Sequence, residues 1–170
     1  DSKQVILNAP PTPIVGSTNL CTATPVTYTS TPAGGTWSSA NTVIATAGAG
    51  TGIITGMSPG ITNITYTAPT GCTRTTSVVV NVAPQPITGS NNVCPGTTTA
   101  LADVTTGGVW SSANSALATV GSASGIVTGV TVGTVNISYT VPNGCSSYLP
   151  VTVNALPAPI VGSPGVCLGG

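Results

Sequence analysis

Apolar and polar positions alternate along short runs of this chain, and Gly, Pro and Asn bound the runs. In Asn63-Ile64-Thr65-Tyr66-Thr67-Ala68 the apolar Ile64, Tyr66 and Ala68 fall on one face of an extended backbone. Ile137, Tyr139 and Val141 do the same further along. Successive side chains of a strand point to opposite faces, so each run predicts a strand with one buried side. Val78, Val80 and Val82 make another inward row, matched by Val151 and Val153. Pro69-Thr70-Gly71 and Pro142-Asn143-Gly144 predict turns that join the last two strands of each set into a hairpin. No segment carries a 3.6-residue apolar period. Short strands at regular spacing, separated by turn signals, predict an all-β sandwich or barrel.

The pattern occurs twice. Cys21 and Cys94, Trp37 and Trp110, Tyr66 and Tyr139, Cys72 and Cys145, and Asn81 and Asn154 are each 73 residues apart. Gly34-Gly35-Thr36-Trp37-Ser38-Ser39-Ala40-Asn41 returns without a gap as Gly107-Gly108-Val109-Trp110-Ser111-Ser112-Ala113-Asn114. The register runs past both ends. Val5-Ile6-Leu7-Asn8 corresponds to Val78-Val79-Val80-Asn81, and Pro159-Ile160-Val161-Gly162-Ser163 restates Pro13-Ile14-Val15-Gly16-Ser17. The expected organisation is the last strand of a preceding repeat at 1–10, whole repeats at 11–83 and 84–156, and the first strand of a following repeat at 157–170. Proline at Pro10-Pro11, Pro84-Gln85-Pro86 and Pro157-Ala158-Pro159 stiffens the joints, which predicts an elongated array.

Composition sharpens this picture. The 170 residues hold two basic and two acidic side chains and no His. These are Lys3, Arg74, Asp1 and Asp103. A typical soluble surface is about 25–35% charged, so hydroxyls and amides must wet this one. Two cations cannot assemble a basic patch, which argues against nucleic acid as a partner. No apolar run approaches the ~18–20 residues of a membrane-spanning helix, so no membrane insertion is expected. Residue 1 is Asp, and no signal segment follows it, so the chain reads as a mature or excised product.

Trp37-Ser38-Ser39, Ile44-Ala45-Thr46, Gly52-Ile53-Ile54-Thr55-Gly56, Gly60 and Ile64-Thr65-Tyr66 together resemble the bacterial immunoglobulin-like domain, group 2. The second copy matches more closely, through Leu117-Ala118-Thr119-Val120, Gly125-Ile126-Val127-Thr128-Gly129 and Gly133. The resemblance covers nearly the whole chain and implies tandem β-sandwiches of about seven short strands each. It also implies use as a stalk in surface adhesins of the invasin and intimin kind, or as a repeat in large secreted or Bacteroidota-like surface proteins. No catalytic residue comes with it.

The cysteines recur with the repeat. Cys21 and Cys72 are 51 apart, as are Cys94 and Cys145, which predicts one disulfide inside each repeat. Each would close a loop worth about 4 kcal/mol of chain entropy. A thiolate metal site is the alternative, but there is no Cys-x-x-Cys pair and no His to complete one. Disulfides in turn predict an oxidising, extracellular or cell-surface location. Cys167 is left over, paired either in a longer polypeptide or with another molecule. Trp37, Trp110, Ile64, Tyr66, Ile137 and Tyr139 are expected in the cores, with carbohydrate stacking as the alternative role of the two indoles.

Catalytic chemistry has nothing to stand on. Asp103 is the lone acid of its repeat, the many serines have no His or nearby Lys as base, and calcium wants several carboxylates. No enzyme, cofactor or metal is expected. Asn63-Ile64-Thr65 and Asn136-Ile137-Ser138 match the N-glycosylation sequon, with both Asn side chains outward, but an outward strand Asn explains them equally. The leading expectation is a structural element of an extracellular fibre or stalk that assembles with other copies of itself or with further repeats. An adhesin with a surface or glycan ligand held by end loops, or a spacer in a large secreted enzyme, are the alternatives. The loops that differ most are Cys21-Thr22-Ala23-Thr24-Pro25 and Cys94-Pro95-Gly96-Thr97-Thr98.

Overall fold

A computed structural model describes residues 7–159 and 161–162. The expected strand at Val5-Ile6, the terminal strand beyond Gly162 and Cys167 lie outside the described residues. The first repeat forms β1 (Asn19–Cys21), β2 (Pro25–Thr27), β3 (Thr36–Ser39), β4 (Ala45–Ala47), β5 (Ile53–Gly56), β6 (Gly60–Thr67) and β7 (Thr73–Asn81). The second forms β8 (Thr88–Gly89), β9 (Asn92–Val93), β10 (Thr98–Ala102), β11 (Val109–Ser112), β12 (Ala118–Val120), β13 (Ile126–Gly129), β14 (Gly133–Thr140) and β15 (Ser146–Val153). The fold is all-β and immunoglobulin-like.

In the first repeat one sheet has the order β1-β7-β6-β3 and the other β2-β5-β4. The second repeats this plan with β11-β14-β15-β9 and β12-β13-β10-β8. The backbone of the sheets β1-β7-β6-β3 and β11-β14-β15-β9 comes from the long hairpin foreseen from the turn signals. β6 and β7 pair antiparallel from Gly60 opposite Val80 to Thr67 opposite Thr73. Alternation then sorts the side chains. Ile64, Tyr66, Ala68, Val78 and Val80 are buried with Leu20, Tyr28, Trp37, Ala45 and Ile54. Val82, expected to continue the inward row, is instead exposed, because β7 ends at Asn81 and the alternation ends with it. In the second repeat Val127, Ile137, Tyr139, Val141, Val151 and Val153 are buried with Trp110. The outer face is threonine-rich, and the cross-strand pair Thr65 and Thr75 shares a hydroxyl–hydroxyl bond of 3.0 Å.

One pairing matters more than the rest. The first strand runs parallel to the last: Asn19, Leu20 and Cys21 of β1 face Val79, Val80 and Asn81 of β7. β9 and β15 reproduce it, with Val93 facing Val153. Each repeat's first cysteine therefore sits at the far end of its last strand.

The chain divides into two compact units. Unit 1 comprises the residues up to Gln85 together with Val104–Gly108 and Thr140–Ser147; unit 2 comprises Pro86–Asp103, Val109–Tyr139 and the residues from Tyr148 on. The turn that carries Cys145 thus belongs to the same compact unit as the first repeat.

Candidate functional site

The disulfide within unit 1 joins Cys21 to Cys145, with a Cα–Cα distance of 5.7 Å and a sequence separation of 124. The expected pairs Cys21–Cys72 and Cys94–Cys145 do not form; Cys72 and Cys94 are free thiols. The reason is strand geometry. Cys72 immediately precedes Thr73, the first residue of the nine-residue β7, whereas Cys21 lies opposite Asn81, its last residue. Nine residues of strand span about 30 Å, and a disulfide needs Cα atoms closer than about 7 Å. The two cysteines of one repeat occupy opposite ends of the sandwich, too far apart for the bond inside each repeat that the equal spacings predicted.

Local sequence shapes both halves of the bond. On one side, β1 ends at Cys21 and the chain turns back at once. Thr22 N donates to Asn81 O (2.9 Å), Ala23 N to Gly56 O (2.9 Å) and Thr24 N to Cys21 O (3.3 Å). Gly56 is required there: a Cβ on it would lie 2.8 Å from Cys21 O. On the other side, Pro142-Asn143-Gly144 makes a tight turn in which Gly144 N donates to Val141 O and Val141 N to Cys145 O, both 2.9 Å. Gly144 takes φ +87°, a left-handed conformation open chiefly to glycine. The Asn143 side chain ties the turn down. Its Oδ1 accepts from Cys145 N (2.9 Å) and its Nδ2 donates to Val82 O (3.1 Å), just past the end of β7. Cys145 is 1% exposed, so the bond is shielded from solvent reductants on that side.

The remaining aromatic site is structural in character. Trp37 packs on Tyr66 with ring centroids 4.7 Å apart, and Trp110 on Tyr139 at 4.8 Å. Tyr66 Oη donates to Pro32 O and accepts from Gly35 N (2.9 Å), which closes the loop over the indole. A shallow hollow of about 180 Å³ lies over this ring pair, lined by Tyr28, Gly34, Gly35, Trp37, Thr51 and Tyr66 among others. Trp37 is only 7% exposed and offers no open face for a sugar to stack on. Tyr28 Oη donates to Ser17 O, and burial raises its pKa above the usual 10. Asn63 and Asn136 are exposed on β6 and β14. Among the described residues no group of three or more His, Cys, Asp or Glu is placed to hold a metal. No helix of the described residues is long and apolar enough to cross a membrane.

The sequence reading located the cysteines, the turns and the indoles. It placed Asn143 in a turn but missed its side-chain clamp on Val82 O; its counterpart in the first repeat is Thr70, and that difference was the available signal. The model of the bacterial Ig-like domain (group 2) matches residues 95–153. No curated protein matches the chain. Among solved structures, domains 1–6 of the surface layer protein SbsC are 23% identical, covering 78% of this chain and 24% of that one, with a TM-score of 0.33. A C-terminal 282-residue fragment of intimin, solved with the intimin-binding domain of its translocated receptor, is 17% identical, covering 86% and 65%, with a TM-score of 0.41. The human desmocollin-1 ectodomain is 13% identical, covering 87% and 35%, with a TM-score of 0.31. The chain thus spans about a quarter of the SbsC fragment and just under two thirds of the intimin fragment.

Proposed function

We propose that the chain is a mechanical element of an extracellular fibre or stalk, a reading supported by the match of residues 95–153 to the bacterial Ig-like domain (group 2). The observation that carries the reading is the Cys21–Cys145 bond, which ties the first strand of one repeat to the hairpin turn of the next. Under a pull on the two ends of the chain, force passes from Cys21 to Cys145 through the bond and bypasses the backbone between them. That backbone, a sequence separation of 124, cannot extend while the sulfurs are joined. A disulfide also calls for an oxidising compartment, in keeping with a place outside the cytoplasm. A surface wetted by threonine and serine, with so few charges, supports a structural role. The adhesin alternative gains little from the hollow over Trp37, whose ring is covered.

Single-molecule force spectroscopy tests this. The oxidised chain is expected to extend only through its residues outside the 21–145 loop. Reduction should add roughly 400 Å of contour length, at ~3.3–3.6 Å per residue. Equal extension before and after reduction overturns the mechanical reading. Glycan-array binding abolished by changes in the Cys21–Pro25 loop would favour the adhesin instead.

A further inference from the structure

Cys72 and Cys94 are free, yet each sits in the setting that its bonded counterpart occupies. Cys94 stands where Cys21 stands. Asn154 N donates to Val93 O (2.8 Å) at the end of the parallel β9–β15 pair, Gly96 N to Gly129 O (2.9 Å), and Thr97 N to Cys94 O (3.1 Å). A Cβ on Gly129 would meet Cys94 O at 2.5 Å, as one on Gly56 would meet Cys21 O. Cys72 stands where Cys145 stands. Gly71 N donates to Ala68 O and Ala68 N to Cys72 O, at 2.9 and 2.8 Å, and Gly71 has φ +86° beside the +87° of Gly144.

The decisive contact is that of the Cys72 thiol. Its Sγ lies 3.7 Å from Asn8 O. Asn8 is the repeat equivalent of Asn81, the residue that faces Cys21 across the β1–β7 pair. The free thiol of the first repeat therefore lies beside the residue that, in the repeat register, corresponds to the strand-ending Asn81, next to which a first-strand cysteine lies.

We propose that Cys72 and Cys94 are the two open halves of a repeating inter-repeat disulfide: the first-strand cysteine of each repeat bonds the hairpin-turn cysteine of the next. The rule already realised by Cys21 and Cys145 assigns Cys94 to a turn cysteine of the Pro-x-Gly-Cys form, and Cys72 to the cysteine that ends a β1-type strand. The partner is a repeat of this same kind, either contiguous in the polypeptide or carried by a second copy of this chain. In forming each bond two thiols lose two protons and two electrons. An oxidised small-molecule disulfide such as glutathione disulfide accepts them and leaves as two thiols.

Peptide mapping of the unreduced, alkylated protein from its natural source is the test. The Cys94 peptide should be joined to a Pro-x-Gly-Cys peptide. If that peptide is Pro69-Thr70-Gly71-Cys72, the partner is a second copy; if it is a new sequence of the same form, the partner is a further repeat. Cys94 found alkylated, or joined to a cysteine outside such a turn, overturns the proposal. A second measurement separates the sources in vitro. In a Cys167→Ser background, Cys72→Ser and Cys94→Ser chains are each oxidised alone and then mixed in a glutathione buffer. Bonding between copies predicts monomers alone and a Cys94–Cys72 dimer on mixing; monomers throughout assign the partner to a contiguous repeat. Symmetric Cys72–Cys72 or Cys94–Cys94 dimers in the single variants overturn the pairing rule. The mapping reads the connectivity alone, so it can fail while the force response of the 21–145 loop stands.

Discussion

The two repeats share one fold and differ in the state of their cysteines. In the first, the strand cysteine Cys21 is bonded and the turn cysteine Cys72 is free; in the second, Cys145 in the turn is bonded and Cys94 on the strand is free. The turn of the second repeat holds a buried Cys145 and an Asn143 that clamps it to Val82 O, whereas the first has a half-buried Cys72 and a Thr70. The cores diverge more quietly. Tyr28 in the first repeat is Leu101 in the second, and the buried Thr62, whose hydroxyl accepts from Asn41 N (3.1 Å), is Val135. A repeat of this type therefore does not own its disulfide. Each supplies two half-bonds pointing to opposite ends, and the sandwich between them must be rigid enough to hold them about 30 Å apart.

The sharpest way to break the comparison is to remove one sulfur at a time. Cys145→Ala should cost about 4–5 kcal/mol in denaturant unfolding, the entropy of opening a loop of more than 100 residues. Cys72→Ala should cost next to nothing. Trypsin gives the same contrast on a gel, since the only basic residues are Lys3 and Arg74. After alkylation of free thiols, cleavage behind Arg74 should leave the two fragments joined until reductant is added. Disulfides confined to each repeat would let them part at once. Next in size, Trp37→Ala and Trp110→Ala should each cost about 3–5 kcal/mol. Near-equal values, read by urea melts under reducing conditions, would establish that the two cores are energetically alike.

A smaller effect separates them. Tyr28→Phe removes the bond to Ser17 O and should cost about 1 kcal/mol at neutral pH. Because burial raises the Tyr28 pKa, the folded chain holds that proton more tightly than the unfolded one. This stabilisation is complete below pH 10 and is lost as pH climbs through the folded value. Melts between pH 9 and 12 should show a steeper alkaline loss in the parent than in the Phe variant. The same scan of a Leu101 substitution should show no such difference. Smallest of all, Asn143→Ala should cost about 0.5–1 kcal/mol and slow the reoxidation of Cys145, while Thr70→Ala leaves refolding unchanged.

Much of this was legible in the sequence. Alternation placed Ile64, Tyr66, Ile137 and Tyr139, and the Pro-x-Gly turns placed both long hairpins. The sulfur pairing was not legible from spacing, for a reason particular to repeats. Any bond between the two cysteine types stays consistent with the period when one partner is shifted by a whole repeat, so Cys21–Cys72 and Cys21–Cys145 are equivalent as patterns. What distinguishes them is the parallel entry of β1 beside β7, a long-range pairing that no local run of residues announces. The outward Val82 escaped for the complementary reason: a periodic row says nothing about where its strand stops.

One last consequence follows from the near absence of ions. Among the described residues, Arg74 and Asp103 are the only charged side chains, and the threonine-covered faces carry neutral dipoles. Dissolved salt acts on surfaces by screening charge over about 10 Å at 0.1 M, and here there is almost nothing to screen. Contacts made through these faces would hold alike in dilute fresh water and in brine, and from mildly acidic to mildly alkaline surroundings.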